Sequence, residues 1–216
     1  MAKIYAFFNP LAGNGQCRED VTLLEFFYDN ICYCDMTLPE TYETQLFALK
    51  PEDTLILCGG DGTVHRFVNL VQDVPIPCDI LLFPLGQRNQ FAGRLHHRLG
   101  DAPFSIKHQL LHCPSITVEN RTRCFLWGVE FDPMGRRFHH RQTAVNVNGV
   151  CHKFRSLQLT ANEDLTLQGR QAYARTPSSI SCGSDVTVCF DRPVSVRIDG
   201  ELIGQAERCH VCMAKR

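Results

Sequence analysis

Between Thr54 and Val71 the chain passes from an apolar run into three glycines and then into a helical pattern, an order that few folds accept. Leu55-Ile56-Leu57, flanked by Thr54 and Cys58, reads as a short buried strand. Gly59-Gly60-Asp61-Gly62-Thr63 follows, and then Val64, Phe67, Val68 and Val71 share one face of a helix. Strand, glycine turn and helix start together form a cradle for an anion. Glycines let the backbone approach a phosphate, and the helix N-terminus supplies unpaired N–H groups and a positive dipole end. Asp61 at the tip would repel phosphate unless a cation bridges them, which implies Mg²⁺. An ordinary strand-to-helix turn needs a glycine or two, not three framing Asp and Thr. No Gly-Lys-Ser/Thr follows, and no GxGxxG is present, so neither the Walker A loop nor the dinucleotide fingerprint applies.

Two more strand–turn units flank this one. Lys3 to Phe8 is a β-rich run ending in Asn9-Pro10-Leu11-Ala12-Gly13-Asn14-Gly15, and Val21, Leu24 and Tyr28 then have helical spacing. Ile31 to Met36 reads as a strand with Thr37 at its end, and Tyr42 to Leu49 as a helix. Asp79 to Leu85 is a further apolar strand running into Gly86. Strands alternating with helices call for a parallel sheet, and ligands of such sheets bind outside the carboxyl ends of the strands, where these turns would converge.

From about Ile106 the texture changes. Short β-rich runs take over at Ser115–Val118, Cys124–Val129, Ala144–Val147, Phe154–Thr160, Val186–Phe190 and Val194–Ile198. Turn signals join them, Asn148-Gly149 and Asp199-Gly200 among them, and Thr176 to Ser184 reads as a mobile loop. The expected fold is therefore an α/β domain with a parallel sheet over residues 1–103, followed by a small antiparallel, sandwich-like all-β domain over 104–216. The boundary falls around Gly100-Asp101-Ala102-Pro103, and the last strand has the option of returning to the first domain.

Composition narrows the function classes. A net charge of −1 over 216 residues gives no basic field for nucleic acid. No stretch reaches membrane-spanning length, which fits a cytoplasmic enzyme. Twelve cysteines at irregular spacing read as reduced and mostly buried. Cys32-Tyr33-Cys34 and Cys209-His210-Val211-Cys212 could hold zinc but lack a partner pair at finger spacing. His96-His97 and His139-His140 lie beside arginines, and such clusters are usually solvated faces.

Four motifs in order carry a resemblance. Asn9-Pro10-Leu11-Ala12-Gly13-Asn14-Gly15, Gly59 to Thr63, Pro84-Leu85-Gly86-x-x-Asn89-x-Phe91-Ala92 and Val196-Arg197-Ile198-Asp199-Gly200-Glu201 resemble those of bacterial diacylglycerol kinases and related lipid kinases. The glycine element alone is shared with NAD kinases. The Asn-Pro opening and the late Asp-Gly-Glu point to the lipid-kinase branch instead. The resemblance implies a nucleotide domain followed by a β-sandwich, and transfer of the γ-phosphate of ATP to a hydroxyl of a diacylglycerol-like lipid, at a membrane surface reached from the cytoplasm. It places ATP against Asn9, Pro10, Leu11, Ala12, Gly13, Thr37, Gly59, Gly60, Asp61, Gly62, Thr63, Val64, His65, Arg66, Gly86, Gln87 and Asn89. It makes Asp199 the base for the lipid hydroxyl and puts Asp61 and Glu201 near Mg²⁺. It names no oligomeric state.

The departures are specific. Where the family reads Gly-Thr-x-Asn-Asp-Phe, this chain has Gly86-Gln87-Arg88-Asn89-Gln90-Phe91, so a hydroxyl and a carboxylate are both replaced by amides. Arg66 stands where many members have Glu, and the second domain lacks the family's Gly-Gly-Gly stretch. The alternative to a kinase is accordingly a non-catalytic nucleotide-binding protein of the same descent.

Overall fold

In the computed structural model, which describes residues 2–72, 74–86, 89–133, 143–161, 164–170 and 176–213, the chain divides into two compact units, Met1–Leu111 and His112–Arg216. The division falls later than the Gly100–Pro103 turn because the residues after it stay with the first sheet. Phe104 pairs with Leu82 and Ser105 with Leu81, and Ile106 is fully buried.

The first unit carries a five-stranded sheet in the order β2-β1-β3-β4-β5. Its strands are β1 (Ile4–Phe8), β2 (Ile31–Asp35), β3 (Thr54–Gly59), β4 (Asp79–Pro84) and β5 (Phe104–Ser105). β1 to β4 are parallel, and β5 alone runs antiparallel against β4. Leu55, Ile56 and Leu57 are all fully buried, as a strand covered on both faces requires. One face packs on Cys17, Val21 and Leu24, the other on the helix after β3, where Phe67 meets Phe7 edge-on at 6.4 Å.

The expected helix over Val21–Tyr28 is a single turn, α1 (Cys17–Asp20), tightening into 3₁₀ geometry over Val21–Phe26. Gly13 and Asn14 both have positive φ, which delays its start, and Asn30 at φ 54° ends the connection soon after. The next helix, α2 (Pro39–Ala48), begins on a proline, whose missing N–H costs nothing at that position, and buries Tyr42 and Leu46 four residues apart.

Asp53 ties this unit's edge together, since its carboxylate accepts the backbone N–H of Lys3 at 2.8 Å and of Lys50 at 2.9 Å. The Lys3 amide above all holds its carboxyl below the usual carboxylate range. A folded-state value below the unfolded one means a contribution that is present above about pH 4 and fades as acid protonates the group. We expect Asp53→Asn to lower the urea midpoint at pH 7 and to lower it less at pH 3. An equal loss at both values would contradict this account.

The second unit is one antiparallel sheet in the order β13-β12-β11-β8-β14-β15-β6-β7, with β9 and β10 joined through β14. These strands are β6 (Ser115–Val118), β7 (Arg121–Cys124), β8 (Val129–Pro133), β9 (Thr143–Val147), β10 (Val150–Phe154), β11 (Ser156–Ala161), β12 (Leu165–Arg170), β13 (Ser178–Ser181), β14 (Asp185–Ile198) and β15 (Glu201–Cys212). The core gathers Phe125, Phe131, Phe154, Leu159, Val188 and Ile198 from across the sheet.

Several expectations change here. Val186–Phe190 and Val194–Ile198 are two halves of one strand, β14, whose register shifts between Cys189 and Val194 so that its halves pair with β9 and β8 respectively. The Cys124–Val129 stretch is the link between β7 and β8, and Thr176–Ser184 contains β13, laddered to β12. The last strand does not return to the first sheet. The two-residue Asp199-Gly200 turn, with both residues at positive φ, folds β15 straight back on β14, and its other edge pairs with β6.

Candidate functional site

The turns that carry Gly13, Gly59 to Gly62 and Gly86 lie at the carboxyl ends of the adjacent strands β1, β3 and β4. The β3 and β4 turns touch backbone to backbone. The Leu85 N–H donates to the Gly59 carbonyl at 3.1 Å, and a Cβ on Gly86 would sit 2.5 Å from the Cα of Gly60. A Cβ on Gly59 would run into the Thr63 side chain. These two glycines are therefore packing requirements. Gly62 differs, because a Cβ there meets nothing within 4 Å.

Gly60 caps helix α3 (Asp61–Leu70) in extended conformation, and its carbonyl accepts the N–H of Thr63 and Val64. As at every helix start, the first N–H groups, here of Asp61 and Gly62, have no intrahelical acceptor. The open side of Gly62 thus adjoins N–H groups that have no acceptor among the described residues, at the positive end of a helix, an arrangement that suits an anion. Arg66, one turn on, is exposed, whereas Val64 and His65 are buried. Those two side chains, expected to line a nucleotide, instead face the interior.

Asp61 does something the sequence did not suggest. Its two carboxylate oxygens accept the N–H of Gln90 at 3.0 Å and of Phe91 at 2.9 Å, capping the short helix α4 (Gln90–Arg94) from a different element. These bonds give Asp61 a structural role at the start of α4, and each of its oxygens keeps acceptor capacity beyond them. Asn89 holds the same turn from below, its amide donating to the Gly86 carbonyl at 2.6 Å. Gln87 and Arg88 lie outside the described residues, as do Arg136, Arg137, His139, His140 and Arg141.

At the ends of β1 and β2 the predicted residues hold local turns. The Asn9 side chain accepts the Leu11 N–H, and the Asn9 carbonyl accepts that of Ala12. Thr37 donates both its N–H and its hydroxyl to one oxygen of Asp35, at 2.7 and 2.6 Å. Asp35 was missed in the sequence, although Asp-x-Thr at a strand end is a readable turn signature. Leu11 and Leu38 project from these turns with large exposed apolar surfaces, and Pro10, Ala12 and Gly13, around Leu11, are half-buried.

In the second unit, Asp199 is buried in the β14–β15 turn. Its carboxylate accepts three backbone N–H groups, from Leu126 at 2.8 Å, Trp127 at 3.0 Å and Gly128 at 3.2 Å. Its own N–H donates to the Gly128 carbonyl at 3.0 Å. Most of the acceptor positions that a base would offer to a hydroxyl are taken by this loop. Glu201, two residues on, is exposed.

Among the described residues no group of three or more His, Cys, Asp or Glu could hold a metal ion. The cysteine pairs Cys32/Cys34 and Cys209/Cys212 thus build no metal cage among the described residues. All twelve cysteines are free thiols. Burial pushes the Cys17 thiol up to about 11 and those of Cys34, Cys113 and Cys209 up to about 12, which keeps them protonated and unreactive.

The profile of the diacylglycerol kinase catalytic domain matches residues 3–114. Solved structures from Bacillus anthracis str. Sterne share the fold. One, named provisionally as a diacylglycerol kinase, superposes with a TM-score of 0.70 at 12% identity over 98% of this chain and 92% of its own. Another, named a diacylglycerol kinase, gives 0.64 at 12% identity over 98% and 94%. No curated protein matches the sequence at a significant level.

Proposed function

The chain belongs to the diacylglycerol kinase catalytic-domain family, and from that premise we propose that it is an ATP-dependent phosphotransferase acting on a hydroxyl of a diacylglycerol-like lipid. The observation that carries this reading is the start of α3. Unpaired N–H groups of Asp61 and Gly62, a helix dipole and an open approach at Gly62 meet at the carboxyl edge of a parallel sheet. ATP brings the phosphoryl group and its charge. The chain's own part is to donate those N–H groups to phosphate oxygens, with Arg66 as the nearest exposed cation on the helix, and to keep the turn rigid. Rigidity comes from Asp61, whose carboxylate pins the α4 start to the α3 start, and from Asn89 behind it. Phosphoryl transfer is mostly positioning and charge neutralisation, so a stiff cradle is itself catalytic equipment. Half-buried Thr37 and the exposed Leu11 and Leu38, at the ends of β1 and β2, are the groups that a nucleoside would meet. No membrane-crossing helix exists among the described residues, so the lipid would be met at a surface.

One observation favours a second reading, binding without turnover. Asp61 and Asp199, two of the acids that the resemblance makes catalytic, are both tied to backbone amides, and Gln90 carries no charge. Two measurements separate these readings. Gly62→Val adds bulk only into open space, so it should leave the melting temperature unchanged and weaken ATP binding at least tenfold by calorimetry. Unchanged affinity would sink the cradle altogether. Transfer of labelled phosphate from ATP to diacylglycerol then decides between kinase and binder, and Gln90→Asp should raise that transfer roughly tenfold if one missing charge limits it.

A further inference from the structure

The connection from α4 to β5 concentrates positive charge at the sheet edge that carries the glycine turns. Between Ile80 and Val118 the sequence has one acid, Asp101, against Arg88, Arg94, Arg98 and Lys107, in a chain whose net charge is −1. Arg94, His96, Arg98 and Leu99 are exposed, Leu99 to 62%. Among the described residues neither Arg94 nor Arg98 has an ion-pair partner. The one acid is engaged within the loop, where its carboxylate accepts the Arg98 N–H at 2.8 Å and lies 3.6 Å from His97 Nδ1. The loop is held from behind. His96 at φ 64° reverses the chain, the His97 N–H returns to the Ala92 carbonyl at 2.9 Å, and the His97 ring stacks on Phe104 with centroids 3.5 Å apart. The Gly100 N–H donates at 3.0 Å to the carbonyl of Pro84, the last residue of β4, which fixes the loop to the carboxyl edge.

Two of these residues have an ordinary account when taken singly. Arg94 in the last turn of α4 suits the negative end of that helix, and a single exposed leucine is common on any surface. Those accounts leave out Arg98, which lies beyond the helix, and the scarcity of acid from Ile80 to Val118. Exposed cations beside an exposed aliphatic side chain suit an anionic lipid surface, where basic groups meet headgroups and the aliphatic one enters between them. We propose that residues 94–99 dock the first unit on an anionic lipid bilayer, with Arg94 and Arg98 on headgroup phosphates and Leu99 between them. A nucleic acid offers phosphates too, but gives Leu99 nothing to do. Docking here rests on the phosphotransferase reading, since a lipid hydroxyl has to be brought to the edge where α3 begins.

Vesicle sedimentation of the full chain, without ATP, tests this. Vesicles of phosphatidylcholine with about one-third phosphatidylglycerol should bind at least about tenfold more tightly than phosphatidylcholine alone, and less so as salt rises. Each basic group near an anionic surface is worth about fivefold, so Arg94→Gln/Arg98→Gln should lose roughly twentyfold with its melting temperature unchanged. Leu99→Trp should show a blue-shifted emission on the anionic vesicles beyond any change in the wild type, whose single tryptophan is Trp127. Equal binding to neutral vesicles, full affinity in the double variant, or an unmoved Leu99→Trp emission each overturns the proposal. So does a short DNA duplex bound as tightly as the vesicles at the same salt, which would make the loop a general polyanion site. ATP affinity by calorimetry separates the loop from the glycine cradle. An unchanged value in the double variant supports docking, whereas a loss of about tenfold assigns the arginines to nucleotide phosphates and overturns it. Vesicle binding is read without ATP, so tight binding with no phosphate transfer would sink the kinase and keep the loop.

Discussion

Asp199→Ala is expected to destabilise the second unit by about 3 kcal/mol, which would show as a urea midpoint shift with an unchanged slope. Three backbone N–H groups, of Leu126, Trp127 and Gly128, lose their acceptor at once. Leu126 and Trp127 are only half-buried, so water can reach part of that deficit, whereas Gly128 is buried. Asp199 also sits at φ 50°, a conformation that Asp and Asn tolerate and Ala resists by about 1 kcal/mol. Asp199→Asn keeps the backbone preference and one acceptor oxygen but turns an NH₂ toward donors, so a loss of about 1–2 kcal/mol is expected. These two variants bear on mechanism as well. A residue that served solely as a proton acceptor would lose activity on Asp199→Asn while keeping the wild-type melting temperature. A residue that anchors the 126–128 loop loses both together. Wild-type stability in both variants would show that the three hydrogen bonds contribute little, and would return Asp199 to the role of base that the resemblance gives it.

The parallel sheet was legible because its strands are apolar on both faces and each ends in a glycine turn, two signals that agree. The texture change near Ile106 marked a second, β-rich part for the same reason. What escaped were features set by pairing rather than by local pattern. β14 reads as two strands because Asp191-Arg192-Pro193 breaks the alternation, and only its pairing with β15 on both sides of that break shows that the chain runs on. β15 has no clean alternation at all, with Gly204 and a register shift inside it, so nothing local marks its length. At the site, the glycines were visible but their different duties were not. The capping duty of Asp61 was not legible, because the N–H groups it accepts, of Gln90 and Phe91, are about thirty residues away and on another helix. Val64 and His65 were swept into the site by adjacency to the motif, whereas the helix turns them inward.

Gly86→Ala should cost the first unit at least about 3 kcal/mol, while Gly62→Ala, from the same set of glycine turns, should cost nothing or stabilise slightly. The difference lies in what each new methyl meets. At Gly86 it would lie 2.5 Å from the Gly60 Cα and 2.8 Å from the Gly60 nitrogen, both backbone atoms that no rotamer change can move aside. Relief requires the β3 and β4 turns to part, and that breaks the bond from the Leu85 N–H to the Gly59 carbonyl. Overpacking against yielding side chains costs about 1–3 kcal/mol, so an obstacle of backbone belongs at or beyond the upper end. At Gly62, in the first turn of α3, the methyl projects into open space, and alanine is the better helix former by up to about 1 kcal/mol. Thermal unfolding of the two variants checks the signs, with Gly86→Ala expected to fall by roughly 10 °C and Gly62→Ala to hold or rise. If Gly86→Ala melted with the wild type, the close approach of the two turns would be wrong. The cradle at the head of α3, which depends on that approach for its rigidity, would then lose its structural basis.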